Sequence, residues 1–287
     1  MDSKILVITD SASDITRQSA QSRNIRILPI MITSGGRTFA EYYDITPEEY
    51  CALLRRTEEV PHTAQVPLAT FTDAFEQAKA DGYREVLVIL INGSGSGTYS
   101  TACIARDLFM AESGGLRIEI LDSRGYTMMY GHIVEHCAEM ASAGTPFDEI
   151  VAYARQRISK LYAYLGVYSL KYLKKSGRIS GGAAFVGEAL GLRPISLVRD
   201  GAVTVCDKVR GDRNLFPRIL ALLQRDVPDL SSQDLLLMHG DLAPEAIETA
   251  RQMLLDAGAR SVRCCCLGPS LTTNTGPDAI AVVFTKE

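Results

Sequence analysis

The sequence predicts an α/β fold in two domains: a parallel sheet flanked by helices, then a second α/β domain on a mixed sheet. Three observations predict it. From Lys4 to about residue 160, short apolar runs alternate with amphipathic stretches, as strands and helices do where both faces of a parallel sheet are covered. The run Val86-Leu-Val-Ile-Leu-Ile91 carries no polar residue, as a strand buried on both faces requires. Beyond residue 160 the style changes, and two strand-like runs, 195–199 and 202–207, flank Asp200-Gly201, a hairpin signal that brings antiparallel pairing. The expected domains are residues 1–160 and 161–287.

The elements follow in order. Residues 4–9 form the first strand, which runs into Asp10-Ser11-Ala12-Ser13-Asp14. These polar residues can cap a helix over 14–22, and Asp10 itself can cap, orient a loop or hold a cation. Residues 25–33 form a second strand, turned by Ser34-Gly35-Gly36-Arg37. Thr46, Pro47 and Glu49 fit N-cap, N1 and N3 of a helix reaching about Arg56. Residues 60–67 read as a polar loop, and the next helix spans about 69–81. After the central strand, Asn92-Gly93-Ser94-Gly95-Ser96-Gly97 turns into a helix over 98–110. A strand, a Gly/Ser turn and a helix N-terminus form an anion site, because unpaired amides and the helix dipole point at one spot. Phosphate and carboxylate both suit such a site. A strand over 116–121 ends in Asp122-Ser123, and helices follow at about 127–142 and 147–160. Ligands on such sheets bind at the strands' carboxyl ends, where Asp10, Thr63, residues 92–98 and Asp122-Ser123 all fall.

In the second half, 161–168 reads as a strand and 170–175 as a short basic helix. A glycine turn containing Arg178 and a helix over 183–190 come next. After the hairpin come a helix at 213–225, a strand at 234–238, a helix at 243–257, and strands at 261–267 and 279–285. Cys264-Cys265-Cys266 sit in a strand-like run, so their thiols alternate between faces and do not converge on one metal. They are read as small core-filling residues.

Composition narrows the function. The chain has 287 residues, 46% hydrophobic and 22% charged, which suits a globular protein of about two domains. A net charge of −4 argues against nucleic acid as a partner. No apolar run approaches the ~20 residues of a membrane span, so no membrane insertion is expected. The chain enters a strand almost at once, so no secretory leader is expected. Seven cysteines without a disulfide-like spacing point to a reduced, cytoplasmic setting.

Several separate motifs then align with one family. They are Ile8-Thr9-Asp10-Ser11; Thr63-Ala64-Gln65-Val66-Pro67; Ser96-Gly97-Thr98-Tyr99-Ser100-Thr101-Ala102; and Leu121-Asp122-Ser123. The second half adds Leu170-Lys171-Tyr172-Leu173-Lys174-Lys175-Ser176-Gly177-Arg178-Ile179-Ser180, then Leu192-Arg193-Pro194-Ile195, Asp200-Gly201, Lys208-Val209-Arg210 and Thr275-Gly276-Pro277. In this order, across nearly the whole chain, they resemble the DegV family of bacterial fatty-acid-binding proteins. The resemblance implies a DegV-like two-domain fold enclosing a long-chain fatty acid between the domains, with its carboxylate at the polar loops. It also implies a carrier without catalysis or cofactor of its own, which presents the acid to a fatty acid kinase catalytic subunit for acyl phosphate formation and phospholipid synthesis.

Carried over residue by residue, the resemblance makes Thr63 the carboxylate hydroxyl and Arg178 the arginine of the head-group network. Asn92, Gly93, Ser94, Ser96 and Asn274 complete the expected ligand-binding set. The chain departs from the family pattern at Asn92-Gly93, which stands where Ser-Ser is usual. Asn274 stands where a histidine is common, and Asp278 replaces a second glycine after Pro277. Another small anionic ligand is therefore an alternative. Lys208 and Arg210, beyond a basic stretch of Lys171, Lys174, Lys175 and Arg178, are expected to dock an acidic kinase partner or nucleotide phosphates.

Two rivals come from other chemistry. His132-Ile133-Val134-Glu135-His136 spells H-x-x-E-H, which on a helix puts both histidines on one face as zinc ligands, with Glu135 as base. The alternative reading is then a zinc-dependent hydrolase. A nucleotide site is disfavoured, because Gly93-x-Gly95-x-Gly97 lacks the G-x-G-x-x-G spacing.

Overall fold

The computed structural model describes residues 4–57, 61–169, 171–177 and 191–286. The chain forms two compact units that interleave in sequence: Met1–Ile32, Thr38–Asp44 and Thr63–Ser159 in the first, and Thr33–Arg37, Ile45–His62 and Lys160–Glu287 in the second. A single cut in the sequence does not make this division.

The chain runs β1 (Ile5–Asp10), α1 (Arg17–Ser22), β2 (Ile25–Leu28), β3 (Met31–Ser34), β4 (Arg37–Ala40), α2 (Pro47–Arg56), β5 (His62–Ala64), α3 (Leu68–Ala80), β6 (Glu85–Leu90), α4 (Thr98–Glu112), β7 (Arg117–Asp122), α5 (Met128–Ser142) and α6 (Phe147–Ile158). It continues with β8 (Leu161–Val167), α7 (Lys171–Ser176), β9 (Leu192–Arg199), β10 (Ala202–Arg210), α8 (Leu215–Asp226), β11 (Asp234–His239), α9 (Pro244–Asp256), β12 (Ser261–Cys266), α10 (Pro269–Thr275) and β13 (Ala279–Thr285). None of the described helices is long and apolar enough to cross a membrane.

The first unit is built on a four-stranded parallel sheet in the order β2-β1-β6-β7. β6 is its centre, and Val86 to Leu90 have no exposure at all, as the uninterrupted apolar run requires. From β1 the chain passes first to β2 on one side; β6, the next strand of this sheet, pairs on the other. The carboxyl ends of β1 and β6 therefore form a topological switch point. The strand expected over 25–33 breaks in two at Pro29, which has no N–H for a ladder. β3 leaves the parallel sheet and joins a three-stranded sheet ordered β4-β3-β5. β5 falls inside the stretch expected to be a loop, because its exposed, polar residues carry no strand pattern. Helix α1 starts at Arg17, capped by the Thr16 side chain, after a short 3-10 turn over Ser11–Ser13. Helix α2, which belongs to the second unit, carries the expected capping box of Thr46 and Glu49.

The second unit holds a six-stranded mixed sheet in the order β10-β9-β8-β13-β11-β12, antiparallel throughout except for β11 with β12. The hairpin expected about Asp200-Gly201 is the β9–β10 pair. The core gathers Tyr164, Ile195, Leu215, Ile219, Leu237 and Val282, among others, under α8 and α9. Helix α10 lies in a stretch poor in strong helix formers, Pro269-Ser270-Leu271-Thr272-Thr273-Asn274-Thr275. Its hydroxyl and amide side chains bond back one turn: Thr273 to Pro269 O at 2.8 Å, Asn274 to Ser270 O at 2.7 Å and Thr275 to Leu271 O at 3.1 Å. Cys264 to Cys266 are not core residues. β12 is an edge strand, so Cys264 is exposed and Cys265 and Cys266 are half-buried.

Candidate functional site

The loop after β6 is held from both sides by carboxylates at the ends of its two neighbours. From β1, Asp10 Oδ2 accepts the amide of Ile91 at 2.7 Å. From β7, Asp122 Oδ1 accepts the amide of Gly93 at 2.9 Å and that of Arg124 at 2.8 Å. Parallel pairing puts the three strand ends level, so two side chains reach amides two residues apart in one loop. A Cβ on Gly93 would sit 2.9 Å from Asp122 Oδ2, so the carboxylate packs against the bare backbone.

Asn92 folds the rest of the loop around itself. It is buried, its Nδ2 donates to Tyr126 OH at 2.6 Å, and its Oδ1 accepts from Ser94 N at 3.2 Å and Ser94 Oγ at 3.1 Å. Its backbone N–H donates to Gly125 O at 3.0 Å, and its carbonyl accepts from Gly95 N and Ser96 N, each at 3.1 Å. Ser96 Oγ lies 2.9 Å from Thr98 Oγ1 and accepts the Thr98 amide at 3.3 Å. All five amides from Asn92 to Ser96 are thus engaged within the protein, and Asp122 puts negative charge against the loop. The expectation that these amides are free for an anion does not hold in this geometry.

Unspent donors lie on one side of this loop. The segment after β5 is laced to the start of α4: Gln65 Nε2 donates to Thr101 Oγ1 at 2.6 Å, and Val66 N reaches Thr98 Oγ1 at 3.4 Å. Thr63, two residues upstream of Gln65, is half-buried, and its hydroxyl makes no hydrogen bond among the described residues. The amides of Tyr99 and Ser100 in the first turn of α4 are likewise unengaged among the described residues, with the helix dipole behind them. A hydroxyl and helix N-terminal amides are neutral donors of the kind that bind carboxylates.

Asp10 is the electrostatic outlier. It has no exposure, and its Oδ1 accepts from Ala12 N at 3.0 Å and from Tyr130 OH of α5 at 2.6 Å. Burial pushes this carboxyl up to about 7, against the pull of its hydrogen-bond donors. The Tyr130 hydroxyl is pushed well above its ordinary value by burial and by the Asp10 charge. The structure therefore gives Asp10 both the capping and the loop-orienting role.

The other expected residues lie elsewhere. Asn274 belongs to the second unit, where its amide bonds into its own helix. Arg178 and the helix expected over 183–190 lie outside the described residues. Lys208 and Arg210 are exposed on one face of β10. In the H-x-x-E-H stretch, buried Glu135 accepts a hydrogen bond from Ser19, His132 Nδ1 pairs with Met128 O at 2.8 Å, and the His136 ring packs tilted against Tyr153. Among the described residues, no three His, Cys, Asp or Glu side chains are grouped to hold a metal. Gln65 and Tyr126, which shape the loop, are not among the expected site residues, and Asp122 is expected only as a polar residue at a ligand-facing strand end. An acidic residue ending each strand that flanks the central one was the signal available.

Comparison with known proteins agrees with this architecture. A family model described as "Uncharacterised protein, DegV family" matches residues 4–287. A DegV domain-containing protein of Caldanaerobacter subterraneus subsp. tengcongensis is 32% identical over 288 residues, covering 99% of each chain. Another, of Clostridium perfringens, is 30% identical over 249 residues, covering 87% of each. Among solved structures, a fatty acid binding DegV family protein from Streptococcus agalactiae has a TM-score of 0.86 at 25% identity, covering 99% of each chain. A stearic-acid-binding protein from Eubacterium ventriosum has a TM-score of 0.88 at 22% identity, over 99% of this chain and 98% of that one. With the family model spanning nearly the whole sequence and the fold shared throughout, this chain belongs to the DegV family.

Proposed function

We propose that this protein is a carrier that binds a long-chain fatty acid, with the carboxylate received at the Thr63 side of the β6–α4 loop. One observation carries the reading: among the described residues the Thr63 hydroxyl is unspent, in the segment that Gln65 and Val66 tie to the start of α4, and the Tyr99 and Ser100 amides of that helix are also unspent. The described fatty-acid-binding character of the Streptococcus agalactiae relative supports it. Burying about fifteen methylenes at ~0.8 kcal/mol each gives roughly 12 kcal/mol before ordering costs, ample to hold an insoluble lipid.

The proposal extends to a cytoplasmic carrier that hands the acid to a fatty acid kinase for acyl phosphate formation. Its candidate docking residues are Lys208 and Arg210, exposed on the edge strand β10 and suited to an acidic partner surface. Arg178 and Asn274 are the further head-group candidates.

Native mass spectrometry of protein purified from bacterial cells, with lipid extraction of the same sample, tests the binding. One fatty acid per chain is expected. A lipid-free protein that also fails to take up added long-chain fatty acids overturns the reading.

A further inference from the structure

We propose that Asp10 takes up a proton when a carboxylate ligand occupies the adjacent loop, so that fatty acid binding and release are proton-linked. The inference rests on the carboxylate-binding reading above. Asp10 has no exposure, and no lysine or arginine hydrogen-bonds to it among the described residues. Its one bond to the ligand loop is the Ile91 amide, which directly precedes Asn92. Among the described residues, the titratable groups facing it add no positive charge: Tyr130 from α5, Glu41 after β4, and Asp14, which acts on Tyr130, with Asp122 beyond the loop. Glu41 is itself buried and accepts from Ser11 Oγ at 2.6 Å.

A second anion received on the Thr63 side of this loop raises the cost of the Asp10 charge, which no cationic side chain among the described residues neutralises. The group already sits near 7, so a small further rise changes its proton occupancy at neutral pH. The hydrogen-bond pattern has room for the proton. The Ala12 and Ile91 amides can only donate, but the Tyr130 hydroxyl can turn from donor to acceptor. A proton from solvent then resides on Oδ1 and is donated to Tyr130 Oη, while Oδ2 keeps the Ile91 amide. The loop stays in place while the charge beside it disappears. Raising the pH removes the proton, restores the repulsion and favours release.

Isothermal titration of the full chain with palmitate, in two buffers of different ionisation enthalpy between pH 6 and 8, reads this directly. The wild-type protein is expected to take up a fraction of a proton per ligand. Kd should rise with pH, by up to about tenfold per unit where linkage is complete. Asp10→Asn should lose the uptake. If that variant does not fold, Tyr130→Phe, which removes one donor to Asp10, should shift the uptake maximum to higher pH. Palmitate binding with no buffer-dependent heat overturns the inference and leaves the fatty acid reading standing. Uptake that persists in Asp10→Asn, or does not move in Tyr130→Phe, also overturns it. No palmitate binding at all overturns both.

Discussion

The side-chain amide of Gln65 occupies the space that a Cβ on Gly97 would need. Gly97 has an ordinary right-handed backbone, φ −69°, so conformation alone does not demand glycine there. The demand is steric: Gln65 crosses the start of α4 to reach Thr101 at 2.6 Å. Gly97→Ala should therefore push the exposed Gln65 side chain off this bond and cost about 0.5–1.5 kcal/mol, the net worth of the hydrogen bond. Thermal melting checks it, and in a Gln65→Ala background the same substitution should cost little.

Thr63→Val removes the unspent hydroxyl while keeping the shape. Thr63 makes no side-chain hydrogen bond among the described residues, so stability should change little. Affinity for a long-chain fatty acid should fall about ten- to a hundredfold, the cost of a hydrogen bond to a charged group, ~1.5–3 kcal/mol. Equilibrium binding beside a melting curve separates the two effects.

The buried Asp10 carboxyl also makes stability depend on pH. Burial raises it from 3.8 to about 7, so the folded chain holds its proton more tightly than the unfolded chain does. The resulting stability is fully present below about pH 4 and is lost as pH rises through about 7. Compared with Asp10→Asn at each pH, the wild-type protein should lose relative stability from pH 5 to 8. Parallel denaturant titrations of the two proteins give the slope, and a flat difference refutes the assignment.

Thiol chemistry should follow the sheet edges. Cys206 and Cys264 are exposed, whereas Cys51 and Cys137 are buried, with burial pushing each thiol up to about 12. An aromatic disulfide reagent should modify Cys206 and Cys264 in the native protein. Cys51 and Cys137 should react only on unfolding. Peptide mapping after a short exposure identifies the sites.

Much of the second unit's framework was legible because its signals are local. The Asp200-Gly201 hairpin and strand β13 rest on turn chemistry and on an apolar run, which act within a few residues. Helix α10 was not legible, because its side-chain back-bonds become available only once the turn has formed. The role of Tyr172 was equally hidden: its ring lies where a Cβ on Gly276 would go, a contact between motifs about a hundred residues apart.

By itself the sequence determined the parallel first sheet, the polar loop after its central strand and the presence of Thr63 near it. These follow from side-chain periodicity and from glycine and serine placement, which are properties of neighbouring residues. Tertiary structure decided which donors are left for a ligand. The amides of residues 92–96 look free in sequence, but Asp122, Gly125 and the loop's own Asn92 and Ser96 absorb interactions there that helix geometry alone would leave open. Thr63 keeps its hydroxyl because nothing in the described structure reaches it. A backbone donor can be spent by any acceptor that the fold brings near, and only the packed chain fixes which acceptors those are.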